Sequence, residues 1–142
     1  MNIVVDASVI VKWLIPQPDD ENDIEQAFAV LECIKSRQVE ICQPPHWLAE
    51  VAAAATRLTP QSADEDIRDL CAMKLPVIET PEIYRHASGL SRTLGHHLFD
   101  TLYHATALCL GDAYLVTADE KYHAKAASHG HILLLKDFHL PA

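Results

Sequence analysis

Basic residues are scarce in this chain: 11 Lys and Arg stand against 20 Asp and Glu, a formal net charge of −9 over 142 residues. A surface that grips nucleic acid by charge alone is thereby excluded, so any contact with phosphate has to be local or mediated by a cation. No uninterrupted apolar run approaches a membrane span, although 49% of the residues are hydrophobic. Met1 and Asn2 lead straight into an apolar run without the basic and apolar segments of a secretory leader, so a cytoplasmic location is expected. Cys33, Cys42, Cys71 and Cys109 show no Cys-x-x-Cys spacing, and reduced thiols in or beside apolar segments are expected, not a disulfide frame or a zinc site. Internal repeats, low-complexity tracts and a linker long enough to divide domains are also missing. The length fits one domain over residues 1–142, burying roughly two-thirds of the surface its unfolded chain exposes.

What the sequence does contain is an alternation of short apolar runs with helical stretches. The runs fall at residues 3–5, 39–42, 77–78, 113–116 and 132–135, and the alternation predicts a parallel sheet with crossover helices. After the first run, Ile24, Ala27, Phe28, Leu31 and Ile34 share one helical face, with Asp19, Asp20 and Glu21 before that helix and Lys35 and Arg37 closing it, in keeping with the helix dipole. Pro44-Pro45 breaks the chain ahead of an Ala-rich helix from Trp47 to Leu58, and Thr59-Pro60 separates it from an acidic helix around Asp64 to Met73. Thr80-Pro81-Glu82 reads as a helix cap with proline at the first helical position; Gly95 closes that helix and Gly130 a later one.

Four acidic residues stand where the chain passes between these elements: Asp6, Glu50, Asp100 and Asp119. Asp6 ends Ile3-Val4-Val5 and Asp119 follows Tyr114-Leu115-Val116-Thr117, so both should emerge at the C-terminal edge of the sheet, where open α/β folds bind ligands. Asp100 opens a helical stretch, and Glu50 lies inside one. Helix capping alone would account for Asp100 or Asp119, and a solvated helix face for Glu50. Asp6 follows so apolar a strand that its carboxylate needs a partner, and no Arg or Lys adjoins it. If all four converge, repulsion is appreciable: two unit charges about 4 Å apart interact by roughly 4 kcal/mol at an effective dielectric of 20. A hard divalent cation, which prefers oxygen ligands, offsets that repulsion.

The run from Val4-Val5-Asp6-Ala7-Ser8 to Lys12-Trp13-Leu14, then Leu48-Ala49-Glu50-Val51, Phe99-Asp100-Thr101-Leu102-Tyr103-His104-Ala105-Thr106-Ala107 and Leu115-Val116-Thr117-Ala118-Asp119, resembles a PIN domain of the VapC-type toxins of bacterial toxin–antitoxin pairs. The resemblance covers nearly the whole chain in the right order. It implies a three-layer α/β fold with a central parallel sheet flanked by helices, and a metal-dependent endoribonuclease. Asp6, Asp100 and Asp119 would hold Mg²⁺ or Mn²⁺, one ion or two, with Glu50 completing the site directly or through water. Ser8 and Thr117 match positions whose hydroxyls orient the carboxylates or their waters. A small antitoxin inserting a segment into the acidic groove, and homodimerisation, are implied in the same way. Gln17 stands where similar toxins often carry an acid.

Other residues leave alternatives open. His104 and His123 each follow an acid by four residues and so share its helical face; each could touch a metal, a substrate phosphate or a carboxylate, or be an ordinary amphipathic residue. His96-His97 should lie in a loop with an anchoring role, and Trp13, Trp47 and Tyr103 should pack in the core or at a subunit contact instead of stacking bases. The stretch Asp64-Glu65-Asp66 with Asp69 is a solvated face or a surface for a basic antitoxin segment. A receiver-type phosphoacceptor domain, with Lys136 after the last strand, requires an Asp after the third strand, where Glu79 stands instead. A dehalogenase-type phosphatase requires Asp-x-Asp, and Ser8 occupies the second place. A catalytically silent PIN-like binding module is the remaining alternative, and the presence of all four acids weighs against it.

Overall fold

The computed structural model describes residues 1–14 and 21–139, with the side chains of residues 21 and 22 excepted. Gln17, Asp19 and Asp20 therefore lie outside the described residues, as does the side chain of Glu21. In chain order the elements are β1 (Asn2–Val5), α1 (Ala7–Leu14), α2 (Glu21–Lys35), β2 (Glu40–Ile41), α3 (Trp47–Leu58), α4 (Ala63–Ala72), α5 (Pro81–Leu94), α6 (Leu98–Leu110), β3 (Ala113–Thr117), α7 (Glu120–Ala126) and β4 (Ile132–Leu134). The strands form a parallel sheet in the order β2-β1-β3-β4, flanked by helices. Among the described residues no helix is long and apolar enough to cross a membrane.

Burial explains the sheet. Ile3, Val4, Val5 and Val116 are fully buried, and β-branched residues enclosed on both faces favour a central parallel strand. Val5 lies opposite Val116, and the Asp6 amide donates to the Val116 carbonyl at 3.0 Å, so the β1–α1 and β3–α7 junctions leave the sheet side by side. Helix α6 is buried continuously from Thr101 to Ala107 because it packs on β1 and β3 and also against α5. The Thr101 hydroxyl donates to the Ala87 carbonyl at 2.8 Å, tying α6 to α5. Thr80 caps α5 by accepting from the Ile83 amide, Pro81 follows, and Gly95 ends the helix in the left-handed conformation, as the sequence predicts.

Three expectations change. Residues 77–78 form no strand: Val77 makes one isolated parallel bridge with Gln43, because Pro76 beside it has no amide hydrogen and Pro81 follows within four residues. The buried face of α2 is Ala27, Val30 and Cys33, while Phe28 is 42% exposed; the Trp13 indole donating to the Ala27 carbonyl at 2.7 Å shows which face meets α1. Arg37 stands beyond the end of α2 with φ 61° and does not close the helix.

Gln43 has a role that its sequence position did not reveal. Its side-chain amide accepts from the Val5 N–H and donates to the Val5 carbonyl, both at 2.8 Å, in a fully buried position. It thus completes the pairing of β1 one residue before Asp6, where β2 has already ended.

Candidate active site at the C-terminal edge of the sheet

Asp6 is held by two hydroxyls from two junctions. Ser8 Oγ donates to Asp6 Oδ2 at 2.7 Å, and Thr117 Oγ1 donates to the same oxygen at 2.8 Å. Each hydroxyl in turn accepts a backbone hydrogen, Ser8 from Ala118 at 3.1 Å and Thr117 from Asp119 at 3.1 Å. Since an amide can only donate, both hydroxyl hydrogens are left to point at Asp6.

The other acids are each fixed by one oxygen. Asp119 is the N-cap of α7, its Oδ1 accepting from the Tyr122 amide at 3.0 Å, which is the capping role the sequence allowed. Asp100 lies in the first turn of α6; its cap is His97, so Asp100 does not open the helix as its sequence position suggested. Asp100 Oδ2 is 3.0 Å from His96 Nε2, while the Lys125 ammonium lies 3.2 Å from His96 Nδ1. The ammonium can only donate, so Nδ1 is the acceptor and Nε2 carries the hydrogen given to Asp100. Glu50 Oε1 accepts from the Tyr103 hydroxyl at 2.7 Å and lies 3.4 Å from His46 Nε2, which also donates to the Phe99 carbonyl at 2.7 Å. Among the described contacts, the second oxygen of each of the four carboxylates has no partner.

Electrostatics places the acids in one neighbourhood. Burial pushes the Asp6 carboxyl up to about 6, the Ser8 and Thr117 hydroxyls hold it down, and Asp100 and Glu50 raise it further. The buried Tyr103 phenol is raised by burial, then by Glu50, Asp6 and Asp100; Tyr122 is raised by burial, then by Asp100, Asp6 and Asp119. The donors are all hard carboxylate oxygens, which suits Mg²⁺ or Mn²⁺ and not a soft metal. As they stand, no three His, Cys, Asp or Glu side chains among the described residues form a group that could hold a metal ion. Carboxylate oxygens of this kind suit a hard divalent cation that keeps part of its water shell. A cavity of about 550 Å³ beside β2, lined by Asn2, Arg37, Ile41, Met73 and Lys74 among others, includes none of the four acids.

His104 is corrected as a substrate contact. It is fully buried, with Nδ1 2.9 Å from the Tyr122 hydroxyl and Nε2 2.7 Å from the Gly130 carbonyl, so both ring nitrogens are engaged inside the protein. The histidines that touch the acids stand four residues before them, His46 before Glu50 and His96 before Asp100. This i, i+4 spacing was legible, but His46 and His96 sit at or ahead of helix starts and so fell outside the helical faces read from the sequence. Tyr103 packs in the core as expected, yet its hydroxyl serves Glu50.

A parallel α/β sheet with carboxylates gathered where its strands end defines a class whose chemistry lies at the C-terminal edge. Residues 3–128 match the PIN domain family, and the chain belongs to it. No curated protein sequence matches significantly. Among solved structures, the chain is similar to one in a toxin–antitoxin complex from Klebsiella pneumoniae and to one in VapBC2 from Rickettsia felis bound to a DNA fragment from their promoter; each has a TM-score of 0.65 at 17% identity, covering 94% of this chain and 97% of that one. Similarity to a chain of VapBC-1 from nontypeable Haemophilus influenzae has a TM-score of 0.64 at 18% identity, covering 96% of this chain and 100% of the other.

Proposed function

We propose that this PIN protein is a divalent-metal-dependent endoribonuclease and the toxin of a toxin–antitoxin pair. The observation that carries the reading is the set Asp6, Glu50, Asp100 and Asp119, each anchored through one oxygen, with Asp100 and Glu50 felt as charge at Asp6 and Asp119 felt with Asp100 and Asp6 at Tyr122. Asp6, Asp100 and Asp119 would hold Mg²⁺ or Mn²⁺, Glu50 would complete the site directly or through water, and Ser8 and Thr117 aim Asp6. A bound divalent cation supplies an acidified water and charge stabilisation at the phosphate. The protein's own part is to keep carboxylates that repel one another in a fixed geometry and to bring an RNA phosphodiester to an otherwise acidic edge. The similar solved structures are toxin–antitoxin complexes, which supports a small antitoxin as partner; a homodimer and a cytoplasmic location complete the proposal.

The test is cleavage of RNA by the purified protein with Mg²⁺ or Mn²⁺, with EDTA, and with Asp6→Asn and Asp100→Asn. Cleavage that requires metal and is lost in both variants is expected. Equal behaviour of wild type and variants would mean that these carboxylates do not cleave RNA, and a wild type that cleaves nothing with either metal would point to a silent binding module.

A further inference from the structure

We propose that His104 is a positioning residue that acts through Tyr122: it sets α7, and with it the Asp119 carboxylate, against the α6 helix that carries Asp100. The assignment of Asp119 and Asp100 to a metal site rests on the function proposed above; the hydrogen-bond chain does not.

Direction in that chain follows from the chemistry of its ends. The Gly130 carbonyl can only accept, so His104 Nε2, 2.7 Å away, carries the hydrogen. Burial lowers the pKa of His104, more than the Gly130 bond restores it, so the ring is neutral at pH 7. Nδ1 is then a lone pair, and the Tyr122 hydroxyl at 2.9 Å donates to it. The same tyrosine gives its backbone hydrogen to Asp119 Oδ1 at 3.0 Å and sets its ring edge-on to His96, 4.9 Å between centroids. His96 is the partner of Asp100. One residue thus serves two carboxylates, Asp119 through its backbone amide and Asp100 through its ring against His96, and its hydroxyl is fixed by His104.

Gly130 extends the clamp. It follows the short 3₁₀ turn Ala127–His129 that continues α7 and adopts φ 76°, a conformation that favours glycine. His104 therefore grips the α7 segment at its first turn, through Tyr122, and at its exit, through Gly130. A leucine would fill the same buried volume without needing two polar partners. An imidazole whose two nitrogens both bind the segment carrying Asp119 fixes where that segment sits.

The experiment uses the full chain as wild type, Tyr122→Phe, His104→Leu and the conservative His104→Gln, all kept well below their unfolding temperatures. Mn²⁺ affinity is read by electron paramagnetic resonance without RNA, and kcat and KM with RNA. Tyr122→Phe and His104→Leu are expected to bind Mn²⁺ about tenfold more weakly and to lose kcat by a similar factor. At saturating Mn²⁺ KM for RNA should hold at the wild-type value, and His104→Gln should recover part of the loss. Ring nitrogen spectra of the wild type should show hydrogen on Nε2 and none on Nδ1. Wild-type Mn²⁺ affinity and kcat in both Tyr122→Phe and His104→Leu, or hydrogen on Nδ1, would overturn the proposal. If the wild type itself neither binds Mn²⁺ nor cuts RNA, the nuclease reading falls and amide exchange at Tyr122 and His123 decides: about tenfold faster exchange in both variants supports the clamp, and unchanged rates overturn it.

Discussion

At pH 7 the Asp6 carboxyl is ionised in surroundings that favour its neutral form, because burial and then the charges of Asp100 and Glu50 raise it from 3.8 to about 6. The sign follows from linkage: the folded chain binds this proton more tightly than the unfolded chain, so the contribution to stability is greatest below about pH 4 and is lost as pH rises through about 6. The gap corresponds to 2–3 kcal/mol in order of magnitude. Asp6→Asn, which can still accept from Ser8 and Thr117, should therefore melt above wild type at pH 7.5 and close to it at pH 4, while RNA cleavage falls at least about 100-fold. Thermal denaturation at the two pH values, beside the cleavage assay, checks both halves. Tyr103→Phe removes the hydroxyl on Glu50 and little else, so cleavage should drop about tenfold with stability changed by about 1 kcal/mol. At this scale strand ends mark Asp6 and Asp119 in the sequence, whereas Glu50 lies inside a helical stretch and is singled out only by the family resemblance. The sequence did not show Tyr122 or the aim of Tyr103, because a phenol in an apolar helix pattern looks the same whether its hydroxyl meets water or a carboxylate.

Among the elements, β1 matters most, since its last residue leads directly into Asp6. Gln43 satisfies both backbone groups of Val5 in the core, and replacing it by Met leaves a buried amide and carbonyl unpaired. Gln43→Met should cost about 2–4 kcal/mol in denaturant unfolding and weaken metal-dependent cleavage. Thr80→Ala, at the cap of α5 and far along the chain from the acids, should cost about 1 kcal/mol and leave cleavage unchanged. Caps and the long helices were readable because their signals are local: Thr80-Pro81 at one end of α5 and Gly95 at the other. The Gln43 pairing spans 38 residues and carries no local signature, and residues 77–78 looked like a strand only because periodicity cannot distinguish one bridge from a ladder.

For the molecule as a whole, a net charge of −9 has to be reconciled with the proposed RNA substrate. Divalent ion is the expected bridge, so EDTA should abolish cleavage and markedly weaken RNA binding in a filter or anisotropy assay. The parallel sheet and the edge where Asp6 and Asp119 emerge were legible from the alternation of apolar runs, whereas the strand order β2-β1-β3-β4 was not, because alternation does not say which strands are neighbours. Which oxygens are anchored and which are left open was not, because it depends on hydroxyls and histidines brought together from junctions up to 111 residues apart.

The most direct measurement is a calorimetric titration of Mn²⁺ into the RNA-free protein at pH 7.5, for wild type, Asp6→Asn and Asp100→Asn. Saturable binding by wild type that is lost or weakened at least about tenfold in each variant is the predicted result. Absence of binding by wild type, or equal binding by all three, would contradict a cation held by these carboxylates.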